Sequence, residues 1–221
     1  MISVMVPARG RTRLLRSMLS TLYATVSNPE NVEVIARIDD DDEGMIHYLQ
    51  LLPQVKVVCK PRVGYAKNAQ MVNECAALAT GDLFLVANDD LEFKTLDWDL
   101  ELTKVAAQYP DGIFDLGVDT VLNNENFCFP CTSRKTVEAL GFFFDERLLY
   151  PDIWMRDVMM PFERAIRVPQ VVIQHNWTGM TEDQRRAMTA MHGHGHSELY
   201  TQCVEEGREK IRCVLSELRL V

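Results

Sequence analysis

Two short stretches carry carboxylates in unusual density. Asp39-Asp40-Asp41-Asp42 follows the apolar run Val32–Ile38, and Asn88-Asp89-Asp90 follows Leu83–Ala87. Adjacent like charges repel, and burial raises the cost, so each cluster calls for a cation or for water. Cations stand at comparable places. Pro7-Ala8-Arg9-Gly10-Arg11 closes the apolar run Ile2–Val6, and Lys60, Arg62, Gly64 and Lys67 follow Val55–Cys59. His175 ends Val168–Gln174. Carboxylates, guanidinium groups and an imidazole gathered in one place would suit a phosphorylated ligand held with a divalent metal. Each feature has a plainer explanation by itself: a solvated loop, a charged helix start or a surface histidine. The joint pattern matters because each one falls at the end of a strand-like run.

The elements that must position these residues alternate. Thr12–Val26 spaces Leu14, Leu15, Met18, Leu19 and Leu22 as a helix. Met45–Leu52 and Tyr65–Ala79 read as two more helices, the latter stopped at Gly81. Between them lie the strands Ile2–Pro7, Val32–Ile38, Val55–Cys59 and Leu83–Ala87. Beyond them, Leu96–Gln108, Ser133–Leu140 and Asp152–Glu163 read as helices, and Gly112–Val118, Asn126–Pro130 and Val168–Gln174 as strands. The alternation predicts an α/β fold, a Rossmann-like mixed but mostly parallel sheet with helices on both faces. In such sheets ligands bind at the carboxyl ends of the strands. If the strands before Pro7, Asp39, Lys60, Asn88 and His175 are all parallel, the charged groups converge on one edge.

The segments "ISVMVPARGRTRLLRSMLSTL", "VEVIARIDDDD", "GYAKNAQMVNECAALATGDLFLVANDDLEF" and "TSRKTVEALGFFFDERLLYPDIWMRDV" resemble, in this order, the conserved pieces of family 2 nucleotide-sugar glycosyltransferases with the GT-A fold. The resemblance spans roughly residues 2–175. It implies a nucleotide-diphosphate sugar donor, most simply a UDP-sugar, and Mn²⁺ or Mg²⁺ bound at a DxD-type strand end. Asp90 is then the first metal ligand and His175 a further one, with Asn88 and Asp89 in support. Asp39 and Asp40 contact the uracil and ribose. Pro7, Arg9, Arg11, Arg62 and Lys67 line the donor site. Asp152, after Pro151 at a helix start, is the base that takes the acceptor's proton in a single inverting displacement. Asp157, five residues on, faces elsewhere. Three places depart from the family pattern: Ala8-Arg9-Gly10 replaces Thr-Tyr-Asn, Asn88 opens the DxD motif, and Pro151-Asp152 replaces Glu-Asp. They keep two other readings open, a nucleotidyltransferase that makes nucleotide sugars and a non-catalytic nucleotide or sugar binder.

The remaining features bound the reading. The chain has 221 residues and a net charge of -9. That suits one catalytic domain over residues 1–177 with a helical extension over 178–221, and it disfavours a nucleic-acid acceptor such as a modified DNA base. The acceptor stays unspecified. No apolar run approaches the ~20 residues of a membrane span, no signal peptide is visible, and the scattered cysteines suit a reducing cytoplasm. Cys128 and Cys131 have the spacing of half a zinc site and read as plain thiols. His192, His194 and His196 alternate with glycine or serine, as a turn, a lid or a metal-binding loop would. The last helix, from Glu198 to Leu218, offers an apolar stripe for core packing or for a homodimer contact.

Overall fold

In the computed structural model of the chain, residues 1–120, 129–149, 151–176, 182, 185, 186 and 198–218 are described. Cys128, His192, His194 and His196 lie outside them, as does most of the predicted strand Asn126–Pro130. Eight strands form one sheet: β1 (Ile2–Pro7), β2 (Val32–Asp39), β3 (Val55–Lys60), β4 (Leu83–Val86), β5 (Leu91–Phe93), β6 (Asp115–Asp119), β7 (Pro130–Ser133) and β8 (Ala165–His175). Their order is β3-β2-β1-β4-β7-β6-β8-β5. Strands β1, β2, β3 and β4 are mutually parallel. β7 runs antiparallel to both β4 and β6, and β8 is parallel to β6. β8 therefore points the same way as β4, and the five strand ends with polar chemistry do share one edge.

Period-2 alternation sorts the strand residues onto two faces. Val4, Val6, Val34, Ala36, Leu85 and Leu116 pack into one core with α1 (Thr12–Thr25), α2 (Glu43–Gln50) and α4 (Trp98–Ala106). Met5, Ile35, Phe84 and Val86 pack into the other. That second layer consists of α3 (Asn68–Ala76), α5 (Arg134–Leu140), α6 (Pro151–Met159) and α7 (Glu198–Glu217). Gly81 lets β4 close on β1: a Cβ there would lie 2.6 Å from the Met1 carbonyl oxygen.

Several elements differ from the sequence reading. The helix expected from Tyr65 begins as a 3-10 turn, Tyr65–Lys67, before α3. The helix expected at Asp152–Glu163 starts one residue earlier, at Pro151, and ends in a 3-10 turn, Met160–Phe162. Proline at the first helical position has no N–H to leave unsatisfied, which explains the start. Strand β5 was not expected. Its three residues are too few to show a period, and only pairing with β8 makes them a strand.

Helix α7 braces α6. Trp154 Nε1 donates to the Cys203 carbonyl at 3.0 Å, Tyr200 Oη to Asp157 Oδ2 at 2.7 Å, and Arg208 to the Asp157 carbonyl. Gly207 makes the close approach possible, because a Cβ there would sit 2.7 Å from Val158 Cγ2 and 3.2 Å from Trp154 Cζ2. Gly207→Val is expected to cost about 1–3 kcal/mol through overpacking, read as a lower midpoint in urea unfolding.

On the same sheet face, β6 opens with Asp115, which has no exposed surface. Neither of its carboxylate oxygens has a hydrogen-bond partner among the described residues. Burial pushes its pKa well above the usual carboxylate range, and the charge of Asp152 adds to this. In the unfolded chain an aspartate releases its proton near pH 4. The folded state thus holds an extra proton above that pH, and stability falls as pH climbs toward the folded pKa. Asp115→Asn should remove this slope. Within that window the native protein should lose about 1.4 kcal/mol per pH unit relative to the variant, measured by guanidinium unfolding between pH 5 and 8.

Candidate active site

The loop from β1 into α1 is sewn to the neighbouring strand ends. The Ala8 N–H donates to the Arg37 carbonyl at 2.9 Å, and the Gly10 N–H to Asp42 Oδ2 at 2.6 Å. Gly10 has φ +65°, a left-handed conformation that a side chain would disfavour. The Arg11 carbonyl accepts from the Leu14 and Leu15 N–H groups, so Arg11 opens helix α1.

Two guanidinium clusters result. In the first, Arg37 is buried on β2. It bonds Asp39 Oδ1 through one terminal nitrogen, Glu74 Oε2 through Nε at 3.0 Å and the Pro61 carbonyl at 2.8 Å. Arg9 takes the other oxygen, Asp39 Oδ2, at 2.8 Å and pairs with Asp41 through both terminal nitrogens. The Arg9 guanidinium holds the exposed Asp41 carboxyl below its usual range. Asp42 caps α2, its Oδ1 accepting from the Met45 N–H at 3.1 Å. Each oxygen of Asp39 thus accepts from a guanidinium group, Oδ1 from Arg37 and Oδ2 from Arg9, and keeps a further lone pair as an acceptor. Asp40 is exposed at the turn.

In the second cluster, Arg11 donates through Nε to Asp89 Oδ2 at 3.0 Å, through one terminal nitrogen to Asp89 Oδ1, and through the other to Asp90 Oδ2 at 3.1 Å. Arg11, which the sequence reading placed toward the donor, thus supplies positive charge to the paired carboxylates from within the chain. Asp89 is fully buried, which pushes its carboxyl up, with Arg11 pulling the other way and Asp90 adding to the rise.

Asp90 faces His175 with its remaining oxygen. His175 Nε2 lies 3.2 Å from Asp90 Oδ1, yet that buried oxygen has no hydrogen-bond partner among the described residues. The two atoms are close without being aligned as donor and acceptor. Burial raises the Asp90 pKa, but His175 and Arg11 outweigh it and hold the carboxyl below its usual range. Pairing of β5 with β8 sets this contact, with Leu91 opposite His175 and the Asn176 N–H donating to the Asp90 carbonyl at 2.9 Å. The His175 ring also meets the edge of Phe129, centroids 5.4 Å apart.

A hydrogen-bond-deficient carboxylate oxygen beside an imidazole nitrogen fits a divalent cation, and the nitrogen favours Mn²⁺ over Mg²⁺. Among the described residues no group of three or more His, Cys, Asp or Glu side chains could hold a metal. Among the described residues, Asp90 and His175 are the two side chains placed to ligate a cation here.

The other expected site residues lie further out. Arg62 and Lys67 are exposed, and the Arg62 charge reaches Asp41. Pro7 and Asn88 are half-buried at the ends of β1 and β4. Asp152 sits in the first turn of α6, where burial pushes its carboxyl up to about 6 against backbone N–H groups that stabilise the charge. Its charge reaches Asp115 at the start of β6. Asp157 is engaged by Tyr200 and Arg156. Sequence reasoning missed Arg37, Glu74 and Asp115. Each was legible as a charged residue inside an apolar run, "VIARID", "NECAA" and "FDLGV".

Solved structures share this architecture. The mannosyltransferase PcManGT from Pyrobaculum calidifontis, in complex with GDP-Man and Mn²⁺, superposes with a TM-score of 0.64 over 98% of this chain and 74% of its own, at 15% identity. S. aureus TarS 1-349 in complex with UDP gives 0.55 over 97% and 72%, at 14% identity. Its complex with UDP-GlcNAc gives 0.56 over 95% and 72%, at 12% identity. No curated protein sequence matches the chain. The family model for glycosyl transferase family 2 matches residues 3–164, most of the chain. With its sheet order and carboxylate-bearing strand ends, the chain belongs to glycosyl transferase family 2 and is a glycosyltransferase of the GT-A fold.

Proposed function

We propose that this glycosyltransferase moves a sugar from a nucleoside-diphosphate donor, a UDP-sugar in the simplest case, to an acceptor hydroxyl with inversion at the anomeric carbon. The observation that carries the reading is Asp90 Oδ1, buried without a hydrogen bond and 3.2 Å from His175 Nε2. These two atoms would hold a divalent cation, with Asn88 beside them and Asp89 fixing the arrangement through Arg11. Such an ion, when bound, stabilises the negative charge that develops on a departing diphosphate. The complexes of similar folds with UDP, UDP-GlcNAc and GDP-Man with Mn²⁺ support this choice of ligands.

The chain's own residues do the rest. Asp40 accepts hydrogen bonds from the ribose hydroxyls or the base N–H. Asp39, clamped between Arg9 and Arg37, holds Arg9 at the nucleoside end. Arg62 and Lys67 supply positive charge toward the phosphates, and Pro7 shapes the loop beneath them. Asp152 takes the proton of the acceptor hydroxyl as its oxygen bonds to the anomeric carbon. The bond from that carbon to the diphosphate oxygen breaks on the opposite side, and its electron pair leaves with the diphosphate. Residues 1–177 carry this chemistry, and α7 braces the helix that bears Asp152.

Thermal unfolding with UDP or GDP, in Mn²⁺, Mg²⁺ or chelator, tests the donor and the ion. One nucleotide should stabilise the protein only when metal is present, by about 2.7 kcal/mol at a hundred times its Kd, and Asp90→Ala should abolish the effect. Stabilisation that survives chelation would sink the metal assignment. The base is tested by the pH profile of kcat/KM. Asp152 works only when ionised, so the rate should rise with pH through about 6. Asp152→Asn should lower kcat by about 10²–10⁴-fold and remove that limb. A variant that keeps the native profile would assign the base elsewhere.

A further inference from the structure

Arg11 gives the cation seat an unexpected charge balance. Of the four carboxylate oxygens on Asp89 and Asp90, one guanidinium takes three. Three hydrogen bonds hold the guanidinium on them, from a backbone position set by the start of α1 and by the Gly10 N–H bond to Asp42. Only Asp90 Oδ1 is left turned toward His175. Among the described residues, a dication arriving alone meets one carboxylate oxygen, one imidazole nitrogen and, one carboxylate away, the Arg11 guanidinium. Hard dications of this kind take about six ligands.

We propose, granting the divalent-cation reading above, that Arg11 is a built-in counter-cation that keeps this seat too weak to load with metal alone. Metal binding is thereby made contingent on the nucleotide. The donor's diphosphate brings the missing oxygens, and its negative charge offsets the guanidinium. Asp89 tunes the device: fully buried behind Arg11, it cancels part of that positive charge and draws it back from Asp90.

The two residues therefore have opposite effects on metal affinity, which a merely structural role would not produce. Electron paramagnetic resonance of free Mn²⁺ reads the affinity directly, at pH 8, without nucleotide and with UDP or GDP. The native protein should bind Mn²⁺ weakly alone and much more tightly with its nucleotide. Arg11→Gln should bind Mn²⁺ alone at least about tenfold more tightly, because a unit positive charge beside the seat is gone. The gain from nucleotide should shrink to match. Asp89→Asn should bind Mn²⁺ alone more weakly than the native protein. Melting curves establish that each variant is folded. If Arg11→Gln binds Mn²⁺ alone no better than the native protein, the inference is wrong and Arg11 holds the seat together. If that variant does not fold, Asp89→Asn decides, since unchanged or tighter binding overturns the inference. If neither the native protein with nucleotide nor Arg11→Gln takes up Mn²⁺, the metal reading itself fails, and the inference with it.

Discussion

Negative charge concentrated at the carboxyl edge of the sheet is the constraint on which this structure turns. Strands β2 and β4 each deliver carboxylates to positions that the fold buries or half-buries. Desolvated like charges would drive the strand ends apart unless cations are fixed among them. The chain provides three guanidinium groups from within. Arg37 is 1% exposed and has a hydrogen-bond partner at each of its nitrogens, which is the condition for a buried ion to be tolerated. Arg9 and Arg11 come from a single four-residue loop, 8–11, and reach the ends of two different strands.

That loop therefore acts as a stitch across the sheet. Its backbone bonds to β2 and caps α1, while its side chains bind the termini of β2 and β4. The planar, five-donor geometry of arginine allows one side chain to span two carboxylates, which lysine could not do in the same plane. Where family 2 transferases commonly carry Thr-Tyr-Asn, this chain carries Ala8-Arg9-Gly10. The result is that two of the four aspartates after β2, Asp39 and Asp41, face guanidinium groups. Asp42 accepts from backbone N–H groups instead, and Asp40 stands at the exposed turn.

Much of this was legible in the sequence. The first four strands and the first two helices follow from apolar periodicity, and the convergence of polar strand ends follows from parallel topology. The charged residues of the site could be named for the same reason, since a carboxylate closing an apolar strand is conspicuous. Their pairing could not. Whether Arg11 faces the donor or Asp89 depends on where its loop is pinned, and the pins are backbone N–H groups with no sequence signature. Strand β5 was invisible because three residues carry no period, yet it sets His175 against Asp90. Asp115 was legible as a charge inside an apolar run, but the dryness of its surroundings was not, because tertiary packing alone sets it.

Strand β8 has a further consequence. Its first residues pair with β6 in simple register up to Val168, which lies opposite Val118. The next pair joins Asp119 to Val172, so three residues are looped out within one strand. Beyond them β8 pairs with β5, and His175 is fixed by counting from that junction. The junction works as a phase setting. Losing or gaining one residue between 168 and 172 would displace Val171, which is fully buried in the core, and Gln170, whose carbonyl accepts from Thr95 Oγ1. The same change beyond 172 would turn the imidazole to the opposite side of the strand. The length of this strand is thus held on both sides of the junction, by core packing before it and by the pairing with β5 after it.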